Sequence, residues 1–147
     1  MPLPIVHLAI AVALHDGAEP SADFLLGSLA PDAIHMRPNT SRPDKDRTHL
    51  LEKPQAETDP RDYYRAVSAW MDAYCLVHPN QRELATGYAS HLLADWLWFR
   101  EIFLPFCDRH GEVAESTTRA QVYYREADQL DLWLFERMPC ATRCGRN

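Results

Sequence analysis

Eleven prolines punctuate this 147-residue chain, and the stretches between them carry apolar residues at helical spacing. Proline lacks a backbone donor and clashes with the preceding helical turn, so it sits in a helix's first turn or just past its end. The prolines therefore mark boundaries. A first helix is expected from about Pro4 to His15, with Gly17 suited to its C-terminal turn. Ser21 is placed to cap a short second helix through about Leu29, closed by Pro31. Asp59-Pro60 supplies an N-cap acceptor and a proline at the first helical position. Behind it Tyr63, Val67, Trp70, Tyr74 and Val77 repeat with a 3.6-residue period until His78-Pro79. Asn80-Gln81-Arg82-Glu83 reads as a capping box and opens a helix expected to reach about Leu104, stopped by Pro105. The last long helix starts near Ser116, carries Tyr123, Ala127, Leu130, Leu134 and Met138 on one face, and ends at Pro139. No series of alternating residues supports a sheet. The expected fold is all-α, a single-domain helical bundle of about five helices over residues 1–147.

One segment departs from a minimal bundle. Residues 36–59 hold three prolines, many charges and few apolar side chains, and read as a long polar loop between helices 2 and 3. Loops of that length in compact domains are usually functional or disordered.

A net charge of −6 argues against a non-specific electrostatic grip on nucleic-acid backbones or anionic membranes. It leaves open an acidic protein that holds cations and processes phosphate esters. No apolar run reaches the roughly 20 residues of a transmembrane helix. The apolar stretch from Ile5 to Leu14 has no basic segment before it and is interrupted by His7, so it reads as a buried helix rather than a leader. The expected location is the cytoplasm, with Cys75, Cys107, Cys140 and Cys144 as thiols. There is no Ser/His/Asp triad, P-loop or dinucleotide fingerprint.

His91-Leu92-Leu93-Ala94-Asp95 places an imidazole and a carboxylate one helical turn apart, on one face. Such a pair suits a divalent cation, or a hydrogen bond within a helix contact. His7 lies in an otherwise apolar helix, where its ring must find a partner, either a metal or a core acceptor. In Gly27-Ser28-Leu29-Ala30-Pro31-Asp32 a carboxylate comes after a proline turn, either aimed by rigid local structure or capping the next element of the chain. Thr48-His49 ends the charged run of the polar segment, before Leu50-Leu51, where a histidine is either a ligand or simply solvated.

The order His7, Asp32, His49, then His91 with Asp95 resembles the zinc-dependent phospholipase C family, whose fold is shared by the single-strand-specific zinc nucleases. The likeness rests on His7 in its apolar helix, Gly-Ser-Leu-Ala-Pro-Asp ending at Asp32, Thr48-His49, and Gly87-Tyr88-Ala89-Ser90-His91-Leu92-Leu93-Ala94-Asp95. Tyr124 to Asp131 is similar to a helix in small bacterial members. The resemblance implies that Asp32, His49, His91 and Asp95 hold one zinc, and that Asp95 bridges to a second zinc also held by His7. It implies one or two Zn2+ ions, or another divalent metal. It also implies hydrolysis of a phosphate ester or lipid head group by metal-activated water, with Asp32 doubling as general base. The pattern departs in two ways: Met1 and Pro2 precede His7, and the family's further His-His-Glu cluster has only His110 here, with Ala114 four residues on. A non-catalytic helical protein that keeps the fold and a metal is the alternative. Among the remaining residues, His35 is a further candidate ligand, and Glu126 and Asp131 are candidates to reach the site from the last helix. His15 and His78 suit helix C-termini. Cys107 and His110 with Cys140 and Cys144 are a candidate structural zinc site.

Overall fold

The computed structural model describes residues 3–16, 18–110 and 116–138. Its elements are α1 (Pro4–Ala13), α2 (Ala22–Leu29), α3 (Arg42–Thr48), α4 (Pro60–Val77), α5 (Arg82–Trp98), α6 (Leu104–His110) and α7 (Ser116–Arg137). A 3-10 helix over Ala30–Met36 comes after α2, and there is no strand among the described residues. None of the described helices is long and apolar enough to cross a membrane. The all-α reading therefore holds. The expected Gly17 turn, the end at Pro139 and the cysteine pair 140/144 lie outside the described residues.

Local chemistry explains most boundaries. Ser21 Oγ accepts the Phe24 N–H at 3.1 Å and starts α2. Asp59 accepts the Arg61 N–H at 2.8 Å ahead of Pro60, as its sequence predicts for α4. Two predictions give way to neighbours. Pro105 does not stop the helix: a π-helical turn over Phe99–Phe103 precedes it, and α6 begins at Leu104. The wider turn loosens the i−4 bonding that a proline would otherwise disrupt, so Pro105 sits in the first turn of α6. Asn80 to Glu83 forms no capping box, because Pro79–Gln81 winds as a 3-10 turn directly into α5. Glu83 instead accepts from Ser21 Oγ at 3.3 Å.

The polar segment 36–59 is polar as expected but contains α3. Ser41 supplies its start: its backbone N–H and hydroxyl both donate to Asp44, at 2.9 and 2.6 Å. Pro43 lies in the first turn. The turn after α3 places Leu50 at φ 52°, a left-handed conformation that costs a leucine about 1 kcal/mol. Leu50 and Leu51 then pack on the core of Tyr63, Val67, Ala89, Leu92 and Trp96. That burial offsets the strain.

The closest helix pair is α2 against α5. A methyl group at Gly27 would overlap the Leu84 carbonyl, and one at Gly87 would overlap the Phe24 carbonyl. Only glycine lets the two backbones touch there. α1 has neither an acidic residue in its first turn nor a side-chain cap of its own. Asp131 of α7 supplies the cap, accepting the N–H groups of Ile5 at 3.3 Å and Val6 at 3.1 Å.

Candidate metal centre

Five residues from four segments meet where α1, α2 and α5 cross. His7 comes from α1, Asp32 from the 3-10 turn after α2, His49 from the end of α3, and His91 and Asp95 from α5. His7, His49, His91 and Asp95 are 1–3% exposed, a depth at which charged groups are rare unless compensated. All five residues singled out in the sequence are therefore brought together.

Each histidine is aimed. His91 Nδ1 lies 2.8 Å from the Ser28 carbonyl. A carbonyl only accepts, so Nδ1 carries the proton and Nε2 presents its lone pair inward. His49 repeats this, with Nδ1 at 3.0 Å from the Lys45 carbonyl. Tyr63 donates to the His49 carbonyl at 3.1 Å and Tyr88 to the Thr48 carbonyl at 2.6 Å, which fixes the backbone carrying His49. The His7 ring stacks on His91, centroids 3.8 Å apart.

The inward atoms are crowded but unpaired. His49 Nε2 lies 3.2 Å from Asp95 Oδ2 and 3.4 Å from Asp32 Oδ1. His91 Nε2 lies 3.9 Å from an oxygen of each carboxylate, and His7 Nε2 3.3 Å from Asp95 Oδ1. None closes as a hydrogen bond: Nε2 of all three histidines and Asp95 Oδ1 are buried without a partner. Buried Asp95 and partly exposed Asp32 face three inward nitrogens around one point, which calls for positive charge between them, from a cation or a proton. Two triads have donor atoms all within 4.8 Å of one another, His7/Asp32/His91 and His49/His91/Asp95. Both use the single inward nitrogen of His91. Once an ion takes one oxygen each of Asp32 and Asp95 with His49 and His91, His7 Nε2 and the second oxygens of the two carboxylates are left of this group.

The ionisation states agree with a cation-seeking site. Burial opposes the charge on Asp95, but its contacts with His49 and His7 outweigh it and hold the carboxyl well below the usual range. Asp32 is likewise opposed by burial, and is lowered on balance by His49 and the Lys45 ammonium. Burial disfavours a charged His49, yet the facing Asp32 and Asp95 raise its pKa to about 9. Without a metal, a proton on His49 serves as the counter-charge. Burial and the adjacent His7 depress His91 to about 4, so it stays neutral.

Other candidates fall away from the centre. Glu126 is exposed, and Asp131 is committed to the α1 N-terminus. His35 is exposed at the rim, its Nε2 3.6 Å from Asp32 Oδ1. His78 lies at the end of α4, and His15 just past α1, where its Nδ1 donates to Ala11 O at 2.8 Å. Lys45 is the neighbour that sequence inspection passes over. Its Nζ lies 3.2 Å from Asp32 Oδ1. The only clue is its place four residues before His49, on the same face of a helix too polar to show periodicity. An apolar groove of about 1160 Å³, containing Leu93 and Leu97, runs along the opposite face of α5. No protein-family model, no curated protein and no solved structure matches the chain.

Proposed function

We propose that Asp32, His49, His91 and Asp95 hold a divalent cation, with His7 beside them, and that the protein is a metal-dependent hydrolase of phosphate esters. Neutral imidazole nitrogens with carboxylate oxygens are a donor set that suits zinc. The observation that carries the reading is the buried, unpartnered Nε2 of His91, aimed with two other histidines and a carboxylate at one point. The order of these residues resembles zinc-dependent phospholipase C, which points to a phosphodiester or a lipid head group as substrate. A bound cation supplies positive charge for a phosphoryl oxygen and acidifies water. The chain does the rest. Ser28 and Lys45 lock the two imidazoles through their carbonyls. His7 and Asp95 are sealed from solvent, which strengthens every charge interaction there. Asp32, with its side chain 23% exposed, is the one carboxylate of the set open to water, and the resemblance implies for it the further role of general base. Cys75 and Cys107 are free thiols, which fits a cytoplasmic protein.

Elemental analysis of the purified protein, with hydrolysis of a chromogenic phosphodiester before and after chelation and zinc return, tests the reading. Stoichiometric metal with zinc-restorable hydrolysis supports it. A metal-free protein that takes up no zinc refutes it. Stoichiometric metal without hydrolysis of any phosphate ester would establish the alternative, a non-catalytic metal-holding helical protein.

A further inference from the structure

The solvent edge of the centre has a defined chemistry. His7, His49, His91 and Asp95 are buried, whereas the Asp32 side chain is 23% exposed, Lys45 14% and His35 55%. Asp32, Lys45 and His35 form a solvent-facing edge of the cluster among the described residues. Lys45 is fixed at both ends. Its carbonyl accepts from the His49 N–H at 3.0 Å, from Thr48 Oγ1 at 2.9 Å and from His49 Nδ1 at 3.0 Å. Its ammonium lies 3.2 Å from Asp32 Oδ1 and 3.1 Å from His35 Nε2. The other basic groups of α3 are spent elsewhere, Arg42 on Asp46 and Arg47 on Asp44.

An ammonium against a ligand carboxylate is a competitor for it. A divalent cation placed among Asp32, His49, His91 and Asp95 takes up the negative charge that now holds Lys45. An ammonium released from that carboxylate would have N–H donors for an anion arriving beside the cation. We infer that Lys45 is the anion-binding residue of the centre, receiving a non-bridging oxygen of a phosphate group in the metal-loaded protein. The inference rests on the metal reading above. It deepens that reading by naming the side chain that selects an anionic substrate.

Charge arithmetic gives the effect of Lys45 two opposite signs. Lys45 repels the metal and attracts the phosphate, so Lys45→Met should tighten one ligand and loosen the other. A residue that merely supported the fold would weaken both. The experiment is calorimetric titration of Zn2+ into chelator-stripped protein, then of orthophosphate into protein carrying one equivalent of zinc. It uses wild type, Lys45→Met, Lys45→Arg and, as a charge control on another helix, Arg65→Met. Lys45→Met should bind zinc severalfold more tightly and orthophosphate about tenfold more weakly. Lys45→Arg should stay near wild type for phosphate, and so should Arg65→Met. Unchanged phosphate affinity in folded, zinc-loaded Lys45→Met overturns the inference and leaves the metal site standing. Weakening of both ligands also overturns it, assigning Lys45 a structural role. Failure of the wild type to bind zinc overturns the metal reading itself.

Discussion

Replacing His91 with alanine separates a metal ligand from a core histidine, because the two roles respond differently to chelator. The ring is 1% exposed, donates to the Ser28 carbonyl at 2.8 Å and stacks on His7 at 3.8 Å. Its loss opens a cavity and strands a carbonyl, together about 2–4 kcal/mol, with or without metal. A ligand role adds a second, conditional loss. Metal that binds only the native state stabilises it by about 2.7 kcal/mol at a hundredfold excess over its dissociation constant. Nearly all of that vanishes if the alanine protein no longer holds the ion. The gap between wild type and His91→Ala should therefore be about 5–7 kcal/mol in zinc and about 2–4 kcal/mol in chelator, by urea unfolding. Metal content of the mutant should fall below half that of the wild type. An equal gap in zinc and in chelator, with metal content unchanged, would refute the ligand assignment.

Gly87→Ala should force α2 off α5, cost about 1–3 kcal/mol in denaturant unfolding, and lower zinc affinity, since the Ser28–His91 bond lies at that crossing. Exposed Arg82→Ala, on the same helix, should do neither. Asp131→Ala should lower thermal stability by about 1–2 kcal/mol by uncapping α1; Asp131→Asn, which keeps an acceptor, should lose less. In chelator, stability should fall on both sides of neutrality. His49, raised to about 9, stabilises below its unfolded value of 6.5 and loses that contribution as pH climbs through about 9. Below 6.5 the unfolded chain protonates His91 while the native one resists down to about 4, and the lowered Asp32 and Asp95 lose their contribution once pH falls under 3.8. A flat urea-midpoint profile from pH 4 to pH 9.5 would contradict these assignments.

What the sequence made legible was whatever is written within one turn of chain. Ser21 and Asp59-Pro60 cap their helices from adjacent residues, and His91 with Asp95 share a face by spacing alone. Pro105 follows a π-helical turn whose Phe103 ring packs edge-on against Tyr123 of α7, a long-range contact with no local sign in the sequence. α3 was written in Ser41-Arg42-Pro43-Asp44, but no residue of the helix is buried, so there was no apolar period to see. The nearness of Lys45 to Asp32 depends on the helical winding of α3. Asp131 caps Ile5 and Val6 from more than 120 positions away, and no local pattern encodes that. The convergence of the five site residues was legible only through their order along the chain.

The cost of this arrangement bears on its purpose. Each buried ion costs several kcal/mol of desolvation, and a buried ion pair is often no better than apolar side chains of the same volume. Filling the α1/α2/α5 crossing with leucine and valine would serve stability better than three histidines and a carboxylate. The fold nonetheless commits distant parts to this cluster. Gly27 and Gly87 bring Ser28 to His91, Tyr63 and Tyr88 hold the carbonyls of His49 and Thr48, and Asp131 pins the helix that carries His7. Each device also bears on the direction of an inward nitrogen, Tyr63 while belonging to the apolar core. Supporting bonds of this kind around ligating side chains are what a metal site needs to hold its donors in place before the ion arrives. A core packed for stability alone has little use for them, and His91 Nε2, 3.9 Å from the nearest oxygen of either carboxylate, is buried there without a hydrogen-bond partner.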